Sequence, residues 1–95
     1  MRESFLERQL VNAVKQIGGL ALKWVSPGNN GVFDRIVILP RGQVVFVEMK
    51  APGKPLRPLQ EKWARTFRQM GHRVYKIDSV ADIATFIVEV MPNAV

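Results

Sequence analysis

The chain of 95 residues contains no cysteine, one histidine and one tyrosine. Without cysteine there is no disulfide frame, no thiolate nucleophile and no cysteine zinc site. One histidine, His72, cannot build a histidine-rich metal centre, and it reads as a strand-edge residue without a chemical role. Any metal must then be held by oxygen, which favours magnesium, with manganese able to substitute, over zinc. Long apolar runs are also missing. No stretch of about eighteen apolar residues is present, nor a signal peptide's basic and apolar regions, so a soluble, cytoplasmic protein is expected, with no membrane partner. No small-molecule organic cofactor is expected.

What is present suffices for one domain spanning 1–95. Hydrophobic residues make up 47%, enough for a single core. The formal net charge of +6 points to a polyanionic partner, and its distribution says more. From Lys50 to Arg73 there are seven basic residues against one acid, Glu61. Lys54, Arg57, Lys62 and Arg65 belong to this cluster, which suits a phosphate backbone. A solvated helix face is the plainer account of the same charges.

Residues from about Glu3 to Gln16 carry an apolar stripe at Leu6, Leu10, Val14 and Ile17, a helix that Gly18-Gly19 stops. Glu7 lies at the border of that stripe. Leu20 to Val25 reads as a first strand. Ser26 to Gly31 is dense turn chemistry. Phe33 to Leu39 reads as a second strand with Asp34 near its start, and Pro40-Arg41-Gly42-Gln43 turns the chain into a third. The three prolines between Ala51 and Pro58 end that strand. Pro58 then opens a helix with an apolar stripe at Leu59, Trp63, Thr66 or Phe67, and Met70. Gln60 falls one position off the stripe, as a solvated first-turn residue would. Arg73 to Ile77 makes a fourth strand, parallel to the third. Ser79, with Asp82 three residues on, caps a last helix through Ala84, Ile87, Val88 and Met91. Trp24, Trp63 and Phe67 read as core or dimer contacts rather than base-stacking platforms. The order α-β-β-β-α-β-α defines an α/β fold with a mixed four-stranded sheet flanked by helices.

The third strand, Val44 to Lys50, is apolar except at Glu48 and Lys50. A strand has a side-chain period of two, so both project from one face. Charges on a covered strand cost several kcal/mol, on the order of 3–5, unless paired. Asp34 joins them only in the right register. A three-residue hairpin loop with Gly42 at positive φ gives cross-strand pairs an even index sum and puts Asp34 on the face of Glu48. A two-residue loop puts it on the other face unless a bulge intervenes. A metal-dependent phosphodiesterase site needs the first arrangement. Carboxylates hold the metal, and a lysine beside it stabilises charge and activates water.

Three segments then carry a resemblance: Gly31-Val32-Phe33-Asp34, Val45-Phe46-Val47-Glu48-Met49-Lys50 and Leu56-Arg57-Pro58-Leu59-Gln60. Together they resemble the virus-type replication-repair nuclease (VRR-NUC) domain of the PD-(D/E)xK superfamily, over nearly the whole chain. Phe33 departs from that pattern, standing where a proline often precedes the aspartate. The resemblance implies a restriction-endonuclease-like core, with Asp34 and Glu48 ligating the metal and Lys50 assisting the attacking water. It matches Glu7 to a helix glutamate completing the acidic pocket, directly or through water. It matches Gln60 to a glutamine lining the site, and suggests the Met49 carbonyl as a further ligand. It also implies a homodimer acting on branched DNA such as Holliday junctions, in a bacterial or phage-infected cell. Two symmetric cuts need two sites, and one chain holds one. The competing reading is a basic, non-catalytic nucleic-acid-binding module on the same fold.

Overall fold

The computed structural model describes residues 3–91. Helix α1 spans Glu3–Gln16, and strands β1 (Leu20–Lys23), β2 (Arg35–Leu39) and β3 (Gln43–Met49) follow. Helix α2 (Pro58–Gln69) leads to β4 (Arg73–Ile77), and α3 (Val80–Val90) closes the described chain. The strands form one sheet in the order β1-β2-β3-β4. The first two pairings are antiparallel, and β3 with β4 is parallel across the α2 connection. This is the expected mixed sheet and element order. Among the described residues no helix is long and apolar enough to cross a membrane.

The β2–β3 turn decides the register. Pro40, Arg41 and Gly42 form a short turn kinked at Arg41, and Leu39 pairs with Gln43 across it. The loop therefore has three residues, and every β2–β3 pair adds to the even number 82. Gly42 takes the expected positive φ of 72°, but Arg41 also does, at 65°. A non-glycine residue in that region costs roughly 1–2 kcal/mol.

Strand alternation divides the interior into two clusters. Val37, Leu39, Val45, Val47 and Met49 face α1 and α3, meeting Leu6, Leu10, Val14, Ile83, Phe86 and Val90. Phe33, Phe46 and Val74 face α2, meeting Ala64, Trp63 and Phe67, with Trp24 alongside. The α1 stripe is as expected. The α2 stripe is not: Leu59 and Met70 are exposed, while Gln60 and Ala64 are buried. In α3 the buried face is Ile83, Phe86 and Val90, whereas Ala84, Val88 and Met91 are exposed. A helix as rich in apolar residues as α3 offers several candidate stripes, and the sheet selects the one that fits. The Ser79 cap is present, its Oγ accepting the Asp82 N–H at 3.0 Å.

Strand limits also differ. β1 stops at Lys23, because Trp24 turns inward against Phe46 and Phe67. β2 starts at Arg35, which leaves Asp34 just outside the ladder. Its backbone is still held, since the Asp34 carbonyl accepts the Trp24 N–H at 2.9 Å. Phe33, just before it and fully buried, packs edge-to-face against Phe67 at 5.4 Å. Gly31 sits so close to Leu59 that a Cβ there would come within 2.6 Å of its Cγ.

Candidate active site

Continuing the β2–β3 register by one step sets Asp34 opposite Glu48, and each carboxylate bonds the backbone beside the other. Glu48 Oε1 accepts the Asp34 N–H at 3.1 Å, and Asp34 Oδ1 accepts the Met49 N–H at 3.3 Å. Glu48 is buried, on the α2 side of the sheet. Its second oxygen, Oε2, takes two partners: Gln60 Nε2 at 2.8 Å and Lys50 Nζ at 3.3 Å. Asp34, Glu48 and Lys50 therefore form one cluster, joined by Gln60 from α2.

Gln60 reverses its expected exposure. Its amide uses both ends, Oε1 accepting the Arg57 N–H at 2.9 Å while Nε2 donates to Glu48. That pattern permits only one orientation of the amide. The same side chain caps the first turn of α2 and fastens the helix to the carboxylate.

The electrostatics centre on Asp34. Burial, then the nearby charge of Glu48, push its carboxyl up to about 7, against the opposing hydrogen bond from Met49. Glu7 adds a smaller push in the same direction, and Arg35 a smaller pull. Two facing carboxylates, one held reluctant to ionise, are a donor set that a divalent cation relieves. Magnesium is commonly held by one or two carboxylates while keeping several waters, so these residues fit it. Among the described residues no cluster of three or more Asp, Glu, His or Cys side chains offers a full protein cage.

Glu7 is placed beside the site but committed elsewhere. Its Oε1 accepts Arg35 Nη2 at 3.3 Å, while Arg35 Nη1 donates to the Ala21 carbonyl at 3.2 Å. Arg35 is buried to 9% exposure, and its Nε has no partner. Arg35 is not among the residues expected from the sequence, although a signal for it is present. Arg35, Val37 and Leu39 alternate onto the covered face, so an arginine there needs a buried anion, as Glu48 needs a cation.

The expected DNA-binding residues separate into two places. Lys54 and Arg57 join Lys50 around an open cleft of about 570 Å³. Lys62 and Arg65 lie on the exposed side of α2. His72 is exposed and stacks edge-on against Phe46 at 5.7 Å.

Known proteins match both the sequence and the fold. The VRR-NUC domain family matches residues 2–81, and the chain belongs to that family of nucleases. It is 50% identical over 80 residues to "Putative nuclease p44" of Acyrthosiphon pisum secondary endosymbiont phage 1, covering 83% of this chain and 85% of that protein. A solved structure described as a VRR_NUC domain superposes with a TM-score of 0.87 at 29% identity, over 93% of this chain and 96% of that one.

Proposed function

We propose that this nuclease is a magnesium-dependent endonuclease that hydrolyses DNA phosphodiesters in branched substrates such as Holliday junctions, acting as a homodimer. The observation that carries the reading is the meeting of Asp34, Glu48 and Lys50 at one point, with the Asp34 carboxyl pushed up to about 7. Asp34 and Glu48 would hold the metal, with the Met49 carbonyl as a further oxygen and Glu7 contributing through water. When bound, the metal supplies a water activated for attack and neutralises charge on the phosphate.

The chain's own groups do the rest. Lys50, held at 3.3 Å from Glu48, presents a fixed ammonium to the attacking water and the phosphoryl oxygens. Gln60 keeps the Glu48 carboxylate from rotating. Lys54 and Arg57 hold the backbone beside the scissile phosphate, with Lys62 and Arg65 further along α2. Water oxygen bonds to phosphorus, one P–O ester bond breaks, and the products are a phosphomonoester end and a hydroxyl end. Manganese substitutes because the ligands are all oxygen.

Four-way junction, flap and linear duplex DNA, each with magnesium, manganese or chelator, test this with wild type and Lys50→Ala. Wild type is expected to cut the junction with either metal, and Lys50→Ala to lose about 10²–10³-fold in rate. Absence of cleavage in every condition, with DNA binding retained, would establish the non-catalytic binding module instead. Sedimentation with and without the junction tests the dimer.

A further inference from the structure

Beyond the cluster around Glu48, the segment from Lys50 to Arg57 lies between β3 and α2, outside both, and its two prolines, Pro52 and Pro55, remove donors. Its shape comes from one turn and one tether. Ala51-Pro52-Gly53-Lys54 closes through the Lys54 N–H to the Ala51 carbonyl at 3.0 Å, with Gly53 at a φ of 78°. Proline second and a positive-φ glycine third define a type II turn. The tether is Asp78, whose Oδ2 accepts the Gly53 N–H at 3.0 Å. Among the described residues it is the one hydrogen bond that fastens the interior of this segment, 51–56, to another element.

Asp78 stands where it can do this because of the parallel pairing. Met49 is level with Ile77, and the Lys50 N–H donates to the Ile77 carbonyl at 2.9 Å, so Asp78 comes next to the turn. Lys76 Nζ lies 3.6 Å from the same Oδ2 and steadies the carboxylate. The tethered turn delivers Lys54 to the cleft that Lys50 and Arg57 also line.

We propose that Asp78 is a positioning residue for DNA: by holding Gly53 it sets Lys54 against Lys50 and Arg57, forming a subsite for the phosphodiester next to the scissile one. The inference rests on the nuclease reading for its ligand. It also reverses the ordinary electrostatic expectation. An acid near a polyanion weakens binding, so its removal should tighten the complex. A positioning acid gives the opposite sign.

The test is a fluorescence-anisotropy titration of labelled duplex and four-way junction in chelator, over a range of salt. Wild type is compared with Asp78→Ala, Asp78→Asn, Lys54→Ala and the Asp78→Ala/Lys54→Ala double variant. Asp78→Ala should bind about three- to tenfold more weakly, the effect of losing one tethering hydrogen bond. Its slope of log Kd on log salt should fall by about one phosphate contact. Asp78→Asn keeps an acceptor for Gly53 and should bind at least as tightly as wild type. The double variant should bind no more weakly than Lys54→Ala, because both remove the same contact. Amide exchange at Gly53 should be slow in wild type and Asp78→Asn and fast in Asp78→Ala. If Asp78→Ala does not fold, Asp78→Ser against Asp78→Asn gives the same comparison of sign. Binding by Asp78→Ala equal to or tighter than wild type, with Gly53 exchange accelerated, overturns the proposal and leaves the nuclease reading intact. Absence of DNA binding by wild type overturns both.

Discussion

Gln60 Nε2 donates to Glu48 Oε2 at 2.8 Å, and through that bond the crossover helix grips the carboxylate of the central strand. Gln60→Ala is expected to cost stability of about 1.5–3 kcal/mol, the worth of a hydrogen bond to a charged group, while also releasing the Arg57 N–H. Cleavage should fall with it, since Glu48 is no longer held. Chemical denaturation and a metal-dependent cleavage assay measure the two effects separately.

The Asp34 carboxyl makes the metal-free protein less stable as pH rises. Its folded-state value of about 7 lies above the ordinary aspartate value of 3.8. Between those limits the folded state binds more protons than the unfolded one, so stability is fully present below about pH 4 and is lost up to about pH 7. Thermal melts in chelator should show this decline, and Asp34→Asn should flatten it. Magnesium added at pH 8 should raise the wild-type melting temperature and leave that of Asp34→Asn nearly unchanged.

The Glu7–Arg35 pair is buried enough to punish the loss of one partner more than the other. Arg35→Ala abandons Glu7 and the Ala21 carbonyl together. About 3–5 kcal/mol of destabilisation is expected, as for breaking a buried ion pair. Glu7→Gln, which keeps an acceptor for Arg35, should cost less. Urea midpoints compare the two. If Glu7 contributes to metal only through water, calorimetric magnesium affinity should weaken far less in Glu7→Gln than in Asp34→Asn.

Register offers a separate check. Deleting Arg41 shortens the loop to two residues and gives the pairs an odd sum, which turns Asp34 to the α1 side. The deletion variant should lose cleavage and magnesium-induced stabilisation together. Arg41→Gly keeps the loop length and suits the observed φ of 65°, so it should retain both. A fully active deletion variant would mean that a bulge restores the register.

Much of this was legible in the sequence because strands have a strict period. Glu48 and Lys50 announce themselves as charges on an apolar strand, and the turn chemistry of Pro40–Gln43 limits where Asp34 can point. Helix faces were less legible. In α3 nearly every residue is apolar, so periodicity cannot choose between Val88 and Phe86; packing against Tyr75, 4.8 Å from Phe86, does. Periodicity alone leaves Gln60 in water, since a polar residue one step off an apolar stripe normally faces it, and only the resemblance puts it at the site. Only the site's need for a donor to Glu48 brings it inside. Arg35 and Asp78 depend on partners 28 and 25 residues away, Glu7 and Gly53, and no local pattern encodes such pairings.

The parallel pairing of β3 with β4 has a bearing on how the protein comes into being. A growing chain released only as far as Ala51 already carries Asp34, Glu48 and Lys50. It lacks the glutamine that fixes Glu48 and the Ile77 carbonyl that holds the Lys50 backbone. If the proposed site is right, cleavage competence would arrive only once the crossover helix and the fourth strand have emerged and docked. During synthesis the chain would carry those charges before it holds the bonds that set them.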